Sequence, residues 1–143
     1  MEFSVSSAIL AAIISALTSA LVNHVNNKQS KKRQLDDQLD SILKIAVQYP
    51  YLESTIFTLT WNIKKDSNEE EYLRYDIYCT LLFNYLERLA SHYSFNRRKI
   101  EDEIAIKDWV RIHKDYWLNP ISSYENIDSY DTKFKSLIND YLK

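Results

Sequence analysis

The hydrophobic positions divide the chain into an uncharged N-terminal stretch and a longer part with helical periodicity. From Phe3 to Val22 no side chain is charged, and a transmembrane helix needs roughly 20 such residues. A basic cluster follows, made up of Lys28, Lys31, Lys32 and Arg33, and such clusters are typical of the cytoplasmic flank of a membrane helix. The sequence therefore predicts a transmembrane helix over residues 1–27, with the N-terminus outside and residues 28–143 in the cytoplasm.

A cleaved signal peptide is the alternative interpretation of this stretch, with small residues Thr18 and Ala20 resembling a cleavage site. However, Glu2 occupies the region that is basic in signal peptides, and the basic cluster lies after the apolar stretch rather than before it. We therefore expect the segment to be retained.

The apolar stretch has two different sides. Small and hydroxyl-bearing residues recur at three- and four-residue steps along one side, and bulky Ile and Leu residues occupy the other. Small residues let membrane helices approach closely, and hydroxyls can bond across the contact. This stripe predicts self-association or a water-lined interior, unless its hydroxyls bond their own backbone carbonyls. The candidate pore-lining or helix-contact residues are Ser4, Ser7, Ala11, Ser15 and Thr18, together with Asn23, His24 and Asn27 at the membrane boundary.

The first cytoplasmic residues continue the helical period, and nothing before Tyr49 must break a helix. One helix is therefore predicted to run from the membrane to Pro50, which ends it. Pro50 can also start a second helix, whose apolar face we assign to Leu52, Ile56, Leu59 and Ile63.

Three further helices are predicted from capping signals and periodicity. Ser67 with Glu70 has capping-box spacing, and the apolar positions of that third helix are Leu73, Ile77, Leu81, Leu82, Tyr85, Leu86 and Leu89. Ser94 or Asn96 caps a fourth helix that ends near Asn119, residues 119–128 form a loop, and Asp128 or Ser129 caps the last helix. The fold class is all-α: one N-terminal transmembrane helix that continues into a small cytoplasmic helical bundle.

Composition excludes several classes of function. The 143 residues contain no glycine, so a P-loop and a dinucleotide-binding fingerprint are both absent. Cys79 is the one cysteine, which rules out an intrachain disulfide and a multi-cysteine zinc site. The net charge of −2 argues against a general nucleic-acid binder. We expect no cofactor, no metal and no DNA partner.

Two histidines lie near residues with which they could form a catalytic site. Arg88 and His92 lie four apart on the third helix and so share a face. They resemble the motif of HEPN ribonucleases, in which an arginine that binds phosphate is followed after four to six residues by a histidine that transfers a proton. Only three residues intervene here, so the pair is degenerate and we assign no catalysis to it. His113 lies near Asp108 in sequence, but no partner nucleophile is identifiable.

The segment Phe3–Val22, the cluster Lys28–Arg33 and the pair Arg88–His92 together resemble one family, the small membrane-associated accessory protein of type VI-B CRISPR systems. The resemblance implies a homo-oligomeric ring in the bacterial inner membrane that forms a pore during phage infection. It also implies a divergent HEPN-like domain and a functional association with an RNA-guided ribonuclease.

Three hypotheses remain open from the sequence. The first is a non-enzymatic oligomer that forms a pore or perturbs the membrane in antiviral defence. The second is a membrane-tethered HEPN-type ribonuclease that uses Arg88 and His92. The third is an adaptor that recruits a cytoplasmic partner to the membrane. The pore interpretation needs several copies, because a single helix cannot enclose a channel.

Overall fold

The computed structural model describes residues 2–119 and 127–143, with side chains described at 9–64, 66–119 and 127–143. All regular structure in these ranges is helical, and no strand occurs there. The predicted all-α class is therefore confirmed. Helix α1, Glu2–Gln48, carries the apolar segment into the first helix of the domain without interruption and ends just before Pro50, as the sequence predicts.

The chain forms two units, residues Met1–Gln34 and Leu35–Lys143. The second unit begins at Leu35, whereas the sequence placed the boundary between residues 27 and 28. Leu35 and Ile42, in the last third of α1, are buried in the core of this second unit.

The second unit contains the remaining helices. After a 3-10 turn at Pro50–Glu53 come α2 (Thr55–Thr60), a 3-10 turn at Trp61–Ile63, α3 (Lys64–Ser67) and α4 (Glu69–His92). They are followed by α5 (Arg97–Glu103), α6 (Ile106–Ile112), α7 (Lys114–Leu118), a 3-10 turn at Ile127–Ser129 and α8 (Thr132–Tyr141). Residues 120–126, most of the predicted loop, lie outside the described residues.

Aromatic side chains build the centre of the second unit. Trp61 is 2% exposed and stacks on Tyr72 with ring centroids 5.1 Å apart. Its ring also meets those of Tyr75 and Tyr116, which are themselves buried. Offset and edge-to-face contacts of this kind add to the free energy of burial. Helix α4 supplies ten buried residues to this core, so it is the central helix of the unit.

The capping residues differ from two of the predictions. Asn68, not Ser67, caps α4 by accepting a hydrogen bond from the Glu71 amide at 3.2 Å. Asp131, not Asp128 or Ser129, caps α8 by accepting from the Lys133 amide. The predicted cap at Asn96 is confirmed, since its side chain accepts from the Lys99 amide. Each true cap has an oxygen that reaches a free amide of the first turn.

The predicted fourth helix is three helices, α5, α6 and α7. The backbone leaves helical geometry at Ile104, where φ is −148°, and again at His113. No glycine or proline stands at either break, so tertiary packing rather than local propensity interrupts the helix.

The apolar faces of the second and third predicted helices were partly wrong. Ile56, Leu59 and Ile63 are exposed rather than buried. The core contacts of that segment come from Phe57, Thr58 and Trp61 instead. On α4 the buried positions are confirmed from Leu82 to Leu89, but the outer side of the helix carries a second apolar row: Leu73, Ile77 and Leu81.

The end of α4 uses left-handed backbone without glycine. Ser94 has φ of 52° and Phe95 has φ of 59°. This geometry turns the chain so that the Phe95 amide donates to the Ala90 carbonyl at 2.7 Å. A residue with a Cβ atom pays roughly 1 kcal/mol for this conformation, and the terminal hydrogen bonds offset that cost.

Candidate membrane-spanning helix and buried histidine cluster

The first unit is a helix whose apolar side chains are not buried against any other part of that unit. From Ile9 to Val25 every bulky aliphatic side chain is at least half exposed, and none of the most apolar stretch is buried. Helix α1 is long and apolar enough to cross a membrane. A core helix of a soluble domain passes the same length test, but its side chains would be packed inside the protein.

Part of the predicted small-residue stripe lies on one face of α1. Because successive helical residues turn by about 100°, Ala11, Ser15 and Thr18 fall within one narrow arc, opposite Ile13 and Leu17. All five side chains are exposed. The predicted stripe therefore exists as a continuous surface over these positions, while the side chains of Ser4 and Ser7 lie outside the described set.

Thr18 has a hydrogen-bond partner inside its own helix. Its Oγ1 donates to the Ile14 carbonyl at 2.8 Å. This is the backbone bonding that the sequence left open as an alternative for these hydroxyls. The Thr18 hydroxyl therefore does not need a partner on a second helix to satisfy its hydrogen bond.

The boundary residues lie on a different side of α1. The same helical step places Asn23, His24 and Asn27 on the side of Ile9 and Ile13, away from the small stripe. All three are exposed. The structure thus separates the predicted pore-lining residues into two faces, and one face turned toward a lumen would not include both sets.

The pair Arg88–His92 lies at the C-terminal end of α4. Arg88 is exposed, and it makes no hydrogen bond or ion pair with the residues described here. His92 is half-buried, and its ring meets the ring of Tyr93 edge-on at 4.9 Å. The two side chains share a face of the helix as predicted, but among the described residues neither is hydrogen-bonded to a second titratable group.

His113 is a fully buried polar side chain of the second unit. The neighbour that the sequence suggested, Asp108, is not its partner. His113 Nε2 lies 3.3 Å from Oε1 of Glu53, in the 3-10 turn. Its Nδ1 lies 2.9 Å from the Tyr75 hydroxyl and 3.8 Å from the Cys79 sulfur, both on α4.

The hydrogen bonds assign roles to each atom of this cluster. Because a carboxylate only accepts, His113 Nε2 carries a hydrogen and donates to Glu53. In the neutral ring Nδ1 then accepts from the Tyr75 hydroxyl. The Tyr78 hydroxyl donates to the same oxygen of Glu53. Burial raises the pKa of Glu53, but the hydrogen bonds that its carboxylate accepts from His113 and Tyr78, with an electrostatic contribution from the His113 ring, outweigh it and hold the pKa below the usual range.

This cluster is structural rather than catalytic. A thiol, an imidazole and a carboxylate are the groups of a nucleophilic site, but Cys79 and His113 are both 0% exposed. No substrate atom can reach the sulfur. Burial also raises the pKa of Tyr75, with Cys79 and two carboxylates adding to the shift, so the hydroxyl stays protonated. The cluster joins the 3-10 turn, α4 and the residue between α6 and α7 inside the core.

Sequence reasoning missed Glu53 because it lies 60 residues from His113. The available signal was its place in the first turn after Pro50, a short segment that also contributes the fully buried Leu52. Within the described part of the chain, no group of three or more His, Cys, Asp or Glu side chains is arranged to hold a metal ion.

Comparison with protein families, curated proteins and solved structures finds no match to this chain.

Proposed function

We propose that this protein is a membrane-embedded homo-oligomer that permeabilises the bilayer, without enzymatic activity. The observation that carries the proposal is the two-sided apolar helix of residues 9–25, whose side chains are exposed along its whole length. The other hypotheses, a tethered ribonuclease and an adaptor, use the same helix only as an anchor and give no role to its small-residue face.

Lipid is the environment that this helix fits. Its bulky aliphatic residues are Ile9, Leu10, Ile13, Ile14, Leu17, Leu21, Val22 and Val25, and each is 50–66% exposed. Full burial of one such side chain is worth about 1.5–3 kcal/mol. Leaving eight of them in water would cost on the order of 10 kcal/mol, comparable to the whole stability of a domain.

Self-association follows from the small-residue face. A helix surrounded by lipid gains nothing from placing Ala11, Ser15 and Thr18 in one row. Against a second copy, the same row lets the two backbones approach closely, which strengthens packing inside a membrane. If several copies turn this face inward, the hydroxyls of Ser15 and Thr18 line the enclosed space. Asn23, His24 and Asn27 then lie toward the headgroups rather than the lumen.

Orientation and biological setting are part of the proposal. The basic residues after the apolar stretch favour a cytoplasmic second unit and an outside N-terminus. The resemblance to the accessory protein of type VI-B CRISPR systems supports a bacterial inner membrane, a role in antiviral defence and a functional link to an RNA-guided ribonuclease. Membrane lipid and other copies of the chain are the direct partners.

Leakage from dye-loaded liposomes tests the proposal. The full chain, reconstituted at increasing protein-to-lipid ratios, should release the dye with a greater than linear dependence on protein. The double variant Ser15→Leu/Thr18→Leu fills the small face with bulk, and we expect it to insert normally but to lose most of the leakage.

The matched control is Ala16→Leu/Ala20→Leu, which adds bulk to the same helix on the side opposite Ser15 and Thr18. Leakage should persist in this variant. Undiminished leakage from the Ser15→Leu/Thr18→Leu variant would contradict the pore. Intact-mass measurement on the membrane fraction decides between a retained helix and a cleaved signal sequence, since cleavage removes the segment altogether.

A further inference from the structure

We infer that the outer face of α4 is a docking surface for a second copy of this chain, with the two α4 helices antiparallel. The inference concerns residues 70–88 of the second unit and goes beyond the membrane helix. It can hold whether or not the protein permeabilises a bilayer.

The outer face of α4 is apolar at its middle. Leu73, Ile77 and Leu81 are 47%, 59% and 40% exposed. They lie four residues apart and so form one row, while the opposite side of the same helix packs in the core. The outer face of a helix that covers a core is normally polar. A row of three aliphatic side chains in water indicates a surface that another molecule covers.

Charges at the two ends of this face complement each other. Glu70 lies one turn before the apolar row, with its side chain 79% exposed. Arg88 lies about two turns after it and is exposed. At about 100° per residue, Glu70, Ile77, Leu81 and Arg88 fall within an arc of roughly 40°. The face is therefore acidic at one end, apolar in the middle and basic at the other end.

The spacing of these residues is symmetric about the level of Cys79. Glu70 and Arg88 each lie nine residues from that level, and Ile77 and Leu81 each lie two residues from it. Two antiparallel helices centred there place Ile77 beside the partner's Leu81. The same register places Glu70 beside the partner's Arg88, and a two-fold axis forms both contacts twice.

The alternative parallel pairing is electrostatically unfavourable. It would put Glu70 beside the partner's Glu70 and Arg88 beside the partner's Arg88, and it would align the two helix dipoles. Arg88 also makes no hydrogen bond or ion pair with the described residues. Glu70 meets Arg74 of its own helix through Oε1, which leaves its second carboxylate oxygen for the partner. Charge complementarity therefore favours a second copy of the chain, with its α4 antiparallel, as the molecule that covers this face.

Disulfide trapping of the full chain in a mild detergent tests this register. Ile77→Cys and Leu81→Cys are made as separate variants with different tags, mixed, and oxidised with copper phenanthroline. We expect a heterodisulfide dimer in the mixture, at several times the yield of homodimer from either variant alone. The antiparallel register offsets two copies of position 77 by about 6 Å along the helix axis. A mixture of Ile77→Cys with Ser136→Cys, on α8, is the control for random collision.

Charge reversal in the same trapping assay tests the end contacts. Glu70→Arg and Arg88→Glu, each introduced into both trapping variants, should lower the heterodisulfide yield several-fold. The combined reversal Glu70→Arg/Arg88→Glu should restore it. Glu69→Arg is the matched control, because it removes a carboxylate from the same first turn but lies off the face.

The outcomes separate this inference from the proposed function. If no heterodisulfide forms between Ile77→Cys and Leu81→Cys, the inferred contact between two α4 helices is wrong. The antiparallel register is wrong if the heterodisulfide yield is unchanged by either single charge reversal. It is also wrong if the combined reversal does not restore the yield. Liposome leakage is measured on the same variants. Leakage without disulfide trapping would support the pore and contradict the α4 interface. Trapping without leakage would support the α4 interface and contradict the pore.

Discussion

His113 Nε2 and Glu53 Oε1 lie 3.3 Å apart although 60 residues separate them in the chain. One partner sits in a short turn after Pro50, and the other sits between two short helices. On the other side of the imidazole ring, Nδ1 of His113 is hydrogen-bonded to the Tyr75 hydroxyl, which is also buried. The His113 side chain therefore holds the 3-10 turn and the α6–α7 junction, which have little regular structure of their own, against α4.

Removal of the His113 ring should destabilise the second unit. His113→Ala leaves the Tyr75 hydroxyl without its buried partner, leaves Oε1 of Glu53 with the Tyr78 hydroxyl alone, and opens a cavity. We expect a loss of about 3 kcal/mol in the free energy of unfolding. Thermal unfolding of the full chain in a non-ionic detergent, followed by fluorescence of Trp61, Trp109 and Trp117, measures this change.

The contact itself can be isolated with a double-mutant cycle. Glu53→Gln alone should cost about 1 kcal/mol, and the double variant should lose less than the sum of the two single losses. Asp102→Asn, at an exposed carboxylate, should stay within about 0.5 kcal/mol of the parent. Strictly additive losses would show that the two side chains do not interact.

Stability should fall on acidification through the protonation of Glu53. Its pKa is lowered in the folded state, so the unfolded chain binds a proton at a higher pH than the folded chain does. The stabilising contribution is present above the usual glutamate pKa and is lost as the pH falls through the folded pKa. The melting temperature of the parent should therefore drop more steeply than that of Glu53→Gln between pH 6 and pH 3. Equal slopes would contradict this assignment.

Glycine at position 94 should stabilise the protein. Ser94 is exposed and has φ of 52°, a conformation that glycine adopts without a steric cost. We expect Ser94→Gly to raise the free energy of unfolding by about 0.5–1 kcal/mol. Ser91→Gly, the same substitution inside α4, should lower it by a similar amount. The opposite signs are the diagnostic result, measured by the same thermal unfolding.

The pair Arg88–His92 should not cleave RNA. The His92 ring is half-buried against Tyr93, and within the part of the chain that the structure describes no second titratable group is hydrogen-bonded to it. Incubation of purified parent and His92→Ala protein with labelled RNA should therefore give equal, background levels of cleavage. Cleavage by the parent that His92→Ala abolishes would restore the ribonuclease hypothesis.

Much of the fold was predictable because it depends on local patterns. The absence of breakers before Tyr49 gave the length of α1, and the cap at Asn96 was readable from side-chain chemistry alone. Which apolar rows are buried was harder to predict. The helical periodicity identifies a hydrophobic face, but it does not show whether that face packs against the core. Ile56 and Ile77 keep the helical period yet lie outside, while the core contacts come from neighbours such as Phe57 and Tyr75.

The candidate sites were predictable to different degrees. The small-residue face of α1 follows from spacing, and so does the shared face of Arg88 and His92. The partner of His113 could not be found in this way, since a contact across 60 residues is set by tertiary packing. The separation of Asn23, His24 and Asn27 from the small face was already available from helical geometry, since the sequence itself predicts a helix that continues past residue 22.

Extraction of membranes with alkaline carbonate tests the central claim most directly. This treatment strips peripheral proteins and leaves proteins with spanning segments in the lipid pellet. If residues 9–25 lie in the bilayer, the full chain will stay in the pellet, and a variant with Ile13→Lys and Leu17→Lys will be released. Release of the unmodified chain into the carbonate supernatant would contradict a membrane-spanning helix, and with it the pore.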